Sequence, residues 1–132
     1  MNRWRRIAIP TLLAAAAALA GCHNPDENHP TADIWPDQFF WEAELVDFSR
    51  VEHYTWNTPF ERAGVEFEGW DYDGSIRLEI FDDDDVLIYD RTFVSSGGQM
   101  VVEDRTDVGN DGNWRVRITV TGADGHVHIT LF

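Results

Sequence analysis

The sequence predicts a small all-β domain, a β-sandwich or jelly roll of about seven or eight antiparallel strands. From about Phe39 onward apolar residues recur with a period of two rather than 3.6. Gly, Asn and Asp clusters return at roughly the 8–12 residue spacing of sandwich turns. With 132 residues there is room for one such domain, and residues 38–132 hold it.

The first 21 residues stand apart. Arg3, Arg5 and Arg6 precede an apolar run over residues 7–20, which ends in Leu19-Ala20-Gly21-Cys22. A basic start, a short apolar stretch and a small-residue cleavage site are the parts of a secretory signal in their usual order. Pro10 interrupts the run, and what remains is shorter than the about 20 residues that span a bilayer, so cleavage is favoured over a retained helix. Leu19-Ala20-Gly21-Cys22 resembles the lipobox of bacterial lipoproteins. That resemblance implies cleavage after Gly21, a diacylglycerol thioether on Cys22 and acylation of its new amino group, together a stable membrane anchor. His23 follows, not aspartate, which by resemblance to lipoprotein sorting leans toward the outer membrane.

Residues 22–37 are polar and punctuated by Pro25, Pro30 and Pro36, which reads as a flexible tether. Cys22 is the only cysteine, so no internal disulfide is available and packing must hold the domain. All 24 acidic residues follow Cys22, against seven arginines and no lysine, a formal charge of −17 from Cys22 on. Nucleic-acid binding requires phosphate neutralisation by Lys and Arg and is excluded. Cations, basic partners or plain solubility suit such a surface.

The strands follow in order. Phe39, Trp41, Ala43 and Leu45 share one face of a first strand, although residues 38–48 also suit a short helix. Residues 51–56 and 64–69 supply two more. Ile76, Leu78 and Ile80 alternate with Arg77 and Glu79, Asp82 to Asp85 turn the chain, and residues 86–93 return as a hairpin arm. Residues 99–103 add a short strand before the loop 107–113. Trp114, Val116, Ile118 and Val120 alternate with Arg115, Arg117 and Thr119. After Gly122-Ala123-Asp124-Gly125, the alternation resumes at Val127, Ile129 and Leu131, which reads as a final hairpin.

Residues 74–80, 86–89, the turn Gly109-Asn110-Asp111-Gly112-Asn113-Trp114 and that final hairpin resemble pre-peptidase C-terminal-like domains. The resemblance implies a non-catalytic accessory or binding module, sometimes with calcium. Asp82-Asp83-Asp84-Asp85 departs from the Asp-Gly turn usual there.

Calcium wants six to eight oxygen ligands. Asp71, Asp73, Asp82, Asp83, Asp84 and Asp85 are the candidate ligands, with Asp107, Asn110, Asp111 and Asn113 a further oxygen-rich loop. Backbone preference alone also places Asp, Asn and Gly in turns. His126-x-His128 puts two imidazoles on one strand face at a spacing zinc or copper sites use, with no third ligand evident and His53 unplaced. As a final hairpin, the pair would simply face solvent opposite Arg115 or Arg117. Tyr54, Trp56, Trp70 and Tyr72 are candidates for stacking on a glycan, against the commoner fate of core packing; Trp114 falls in phase with the core. No cysteine nucleophile, nucleophile elbow or spaced Ser-His-Asp set is present beyond Cys22, so an envelope hydrolase is the weakest reading. The expectation is a lipid-anchored, non-enzymatic envelope module that meets another protein or a glycan, needing no cofactor unless calcium binds.

Overall fold

The computed structural model describes residues 27–132. The signal segment, the lipobox and Cys22 lie outside the described residues.

Six antiparallel strands and no helix make up the described residues: β1 (Thr31–Trp35), β2 (Gln38–Thr58), β3 (Gly64–Phe81), β4 (Leu87–Ser96), β5 (Met100–Arg105) and β6 (Gly112–Leu131). They form one sheet in the order β1-β2-β6-β3-β4, with β5 also on β3. Residues 38–48, which also suited a helix, lie within β2.

The sheet is folded over on itself. Register shifts interrupt β2 between Leu45 and Arg50, and β3 between Trp70 and Ser75. The break in β6 falls at the same level, at Gly122 to Gly125, and β4 gives way to β5 at Gly97-Gly98. An extra residue in a strand bends it and shifts which side chains face inward. Buried positions accordingly change from odd (Phe39, Trp41, Ala43, Leu45) to even (Trp56) along β2, and from odd (Val65, Phe67) to even (Ile76, Leu78, Ile80) along β3. In β6 they change from even (Trp114, Val116, Ile118, Val120) to odd (Val127, Ile129, Leu131).

The first layer therefore holds β1, the first half of β2, the second half of β6, the first half of β3, and β5. The second holds the remaining halves of β2, β6 and β3, with β4. Their inner faces meet through Phe67 stacked on Phe93 at 4.1 Å and Phe39 edge-on to Tyr54 at 5.5 Å. Trp56 Nε1–H donates to the Trp35 carbonyl across the layers.

The corner is built from residues that tolerate positive φ: Asp47, Asp71, Gly74, Gly122 and Gly125. Asp47 N–H donates to Asp124 Oδ1 at 2.9 Å, and Gly122 N–H to Ser49 Oγ at 2.8 Å, tying the bends of β2 and β6 together. A Cβ on Gly125 would sit 2.6 Å from the Asp71 carbonyl oxygen, so the backbones cross there only because the residue is glycine.

Three expectations are corrected. The strands of the described residues number six, not seven or eight, because the segments expected separately at 39–45 and 51–56 form one bent β2, and those at 64–69 and 76–80 one bent β3. Gly122 to Gly125 is not a hairpin turn: the two halves of β6 pair with β2 and β3, never with each other, so the pre-peptidase-like resemblance loses one of its four features. Residues 31–35 belong to the domain, not to a tether, because β1 pairs along β2 from Thr31↔Glu42 to Trp35↔Gln38. Asn28 clasps β2 before that, its N–H on the Glu44 carbonyl and its side chain bonded to both backbone groups of Val46. The hairpin of β3 and β4 is as expected, and β5 covers the short strand expected after it.

Candidate functional site

The calcium candidates do not converge. Asp71 and Asp73 sit at the corner of β3, while Asp82 to Asp85 turn its far end, separated by the eight strand residues 74–81 or roughly 25–30 Å. Each carboxylate at the far end is committed to the protein. Buried Asp82 accepts the backbone N–H groups of Asp84, Val86 and Asn110, each at 2.9 Å. Those bonds, the one from Asn110 foremost, hold its carboxyl below the usual range. Asp83 accepts from Asn113 N–H, Asp84 from the Asn110 side chain, and Asp85 from Arg115. The four aspartates thus fasten the β3–β4 turn to the loop before β6.

The aromatic candidates part as well. Trp56 and Tyr72 are wholly buried, because the corners rotate both side chains into the core. Tyr54 packs its ring on Phe39 and donates to Glu52 Oε1 at 2.9 Å; burial, then Glu52, pushes its hydroxyl up to about 12. Trp70 alone of the four stands on an outer face.

That outer face, on the first layer, carries the histidine pair. Because β6 does not turn back on itself, His126 and His128 lie opposite neither Arg115 nor Arg117. Register instead places His128 between Glu42 of β2 and Glu68 of β3, and His126 between Glu44 and Trp70. His126 Nε2 and His128 Nε2 are 2.9 Å apart, and Glu42 Oε1 is 3.3 Å from the first and 3.4 Å from the second. Glu44 Oε1 lies 3.3 Å from the other nitrogen of His126, Nδ1. Trp70 packs edge-on against both imidazoles, and Phe40 against His128. His53, by contrast, is on the second layer, paired with Arg117.

The surroundings are acidic. Glu66 and Glu68 project on the same face of β3, and the hydrogen bond and like charge of Glu68, with some desolvation, push the Glu66 carboxyl up. Beside the histidines, a cleft of about 270 Å³ is lined by His29, Thr31, Glu42, Ala43, Glu44 and His126. Among the described residues, Glu42, His126 and His128 form the one group of three or more metal-ligating side chains with mutually close donor atoms. Such a cluster either shares protons or holds a cation.

No protein-family model matches the chain, and no curated protein matches it in sequence.

Glu42 was the residue that sequence reasoning missed. Its signal was the polar phase of β2, Glu42-x-Glu44, which repeats the two-residue spacing of His126-x-His128. Only the pairing of β2 with β6, over eighty residues away, turns the two dipeptide patterns into one site.

Proposed function

We propose that this chain is a lipid-anchored, non-enzymatic β-sandwich acting as an interaction or accessory module at the cell envelope. The observation that carries the reading is Leu19-Ala20-Gly21-Cys22, placed directly after an arginine-led apolar stretch and holding the sole cysteine. The pre-peptidase-like resemblance, reduced to its first three features, agrees with a binding role. So does the employment of the buried carboxylates: Asp82 caps backbone N–H groups, and Glu79 is held by both arms of Arg117, at 2.9 and 2.7 Å. The outer membrane is the destination we favour, on His23 after the lipidated residue.

The reading also limits reach. Residues 23–27 separate Cys22 from Asn28, which is hydrogen-bonded to β2, and extended chain spans at most about 3.5 Å per residue. The sandwich therefore works within a short distance of the bilayer, among headgroups and membrane-proximal proteins.

Metabolic labelling with a fatty-acid analogue tests it. The full chain is expected to take up label and to fractionate with membranes. Cys22→Ser is expected to take up none and to keep its signal segment. Label in the serine variant, or an unlabelled parent recovered with residues 1–21 intact, overturns the reading.

A further inference from the structure

The cluster on the outer face of the first layer carries an inference that does not depend on the lipid anchor. Three side chains from two strands direct one donor atom each at a common point, and their separations are 2.9, 3.3 and 3.4 Å. Metal–ligand bonds of about 2.0–2.1 Å in a tetrahedron set the ligands about 3.3–3.4 Å apart, and in an octahedron about 2.9 Å. Two of the three edges have the tetrahedral value, and all three fit a single ion at the centre.

We infer that Glu42 Oε1, His126 Nε2 and His128 Nε2 bind one Zn²⁺ ion. Two imidazoles and a carboxylate are a donor set zinc takes readily, and one that calcium, which seeks oxygens alone, does not. Ring orientation agrees. With Nε2 of His126 on the metal, its Nδ1–H is left to donate, and Glu44 Oε1 stands 3.3 Å away to accept. A carboxylate behind a ligating imidazole is the usual means of fixing its tautomer and raising its basicity.

The support is rigid where a site needs it. The histidines are neighbours on one face of β6, Glu42 is the cross-strand partner of His128, and Trp70 and Phe40 confine the rings. Glu68, opposite His128 on its other side, adds negative charge that raises the local cation concentration. The cleft beside His126 leaves room for water as the remaining ligand.

Zinc titration of the full chain in mild detergent, carrying Cys22→Ser so that the lone thiol cannot compete, tests the inference by calorimetry. One Zn²⁺ per chain is expected, with no heat from Ca²⁺, and Co²⁺ is expected to give the intense visible bands of tetrahedral coordination. His126→Ala and His128→Ala should each weaken zinc binding by about 100-fold or more. Glu42→Gln should weaken it by at least about tenfold, and Glu44→Gln by about tenfold through the outer contact. Near-UV circular dichroism confirms the fold of each variant, and an alanine variant that loses it is replaced by asparagine at the same position. A parent that takes up no zinc, leaving only a proton shared between the rings, overturns the inference, as does unchanged affinity in either histidine variant.

Discussion

The two outer faces of this sandwich use charge in opposite ways. On the second layer arginines pair with carboxylates: Arg77 with Asp90 and Glu79, Arg115 with Asp85, and Arg117 with buried Glu79. Across the corner, on the first layer, Glu42, Glu44, Glu66 and Glu68 surround two histidines. Strands β2, β3 and β6 supply both faces, so the contrast lies between the two halves of the same strands. One face pairs its carboxylates with arginines; the other gathers them around two histidines and against one another.

The largest effect expected is at the corner that joins the faces. Gly125→Val forces a branched side chain onto φ 115° against the Asp71 and Trp70 carbonyls, and should cost about 3 kcal/mol or more by urea denaturation. Gly122→Ala meets open space and should cost only about 1 kcal/mol.

On the arginine-rich face, Arg117→Ala leaves buried Glu79 with only Arg77, 3.6 Å away, and should lower stability in urea denaturation. The same kind of change on the acidic face should have the opposite sign. Glu68→Gln removes a like charge beside Glu66 and should stabilise by about 0.5 kcal/mol. A destabilisation of equal size would erase the contrast.

The pH dependence sharpens it further. Glu66 titrates higher in the folded chain than unfolded, so the native state holds the extra proton between those values. Stability should therefore rise as pH falls through the folded value of Glu66 toward the ordinary carboxylate range near about 4.3. Asp82, held by backbone N–H groups, and Asp90, held by Arg77, titrate lower when folded. Their contribution is present above the unfolded value of about 3.9 and is lost as pH falls through their folded values. Denaturation across a pH series should show a shallow rise followed by a fall, and Glu66→Gln should remove the rise alone.

Much of the strand content was legible because period-two alternation follows directly from one face being buried. Ile76, Leu78 and Ile80 located the second half of β3, and Asp82 to Asp85 located its turn. The corners were visible in the sequence but ambiguous. A change of parity, as between Val120 and Val127, accompanies a bulge that bends a strand as well as a turn that ends it, and the glycines at 122 and 125 suit both. Reading that change as a turn paired the halves of β6 with each other, which put the arginines opposite the histidines and hid Glu42. The prolines at 30 and 36 similarly disguised β1, whose place depends on β2 and not on its own five residues. The hydrogen bond from Asn110 N–H to Asp82 had no sequence signal, since it joins residues 28 positions apart.

The bent strands also bear on how the protein folds and fails. Because β2, β3 and β6 each run through both layers, neither layer is an independent folding unit, and loosening one strand end withdraws apolar contacts from both sides of the core. Acquisition of the native state must await distant pairings such as Phe39 with Leu131, which places the chain among slowly folding, non-local topologies. Unfolding should then be a single cooperative transition, with amide protection distributed across the corner and not graded from one layer to the other.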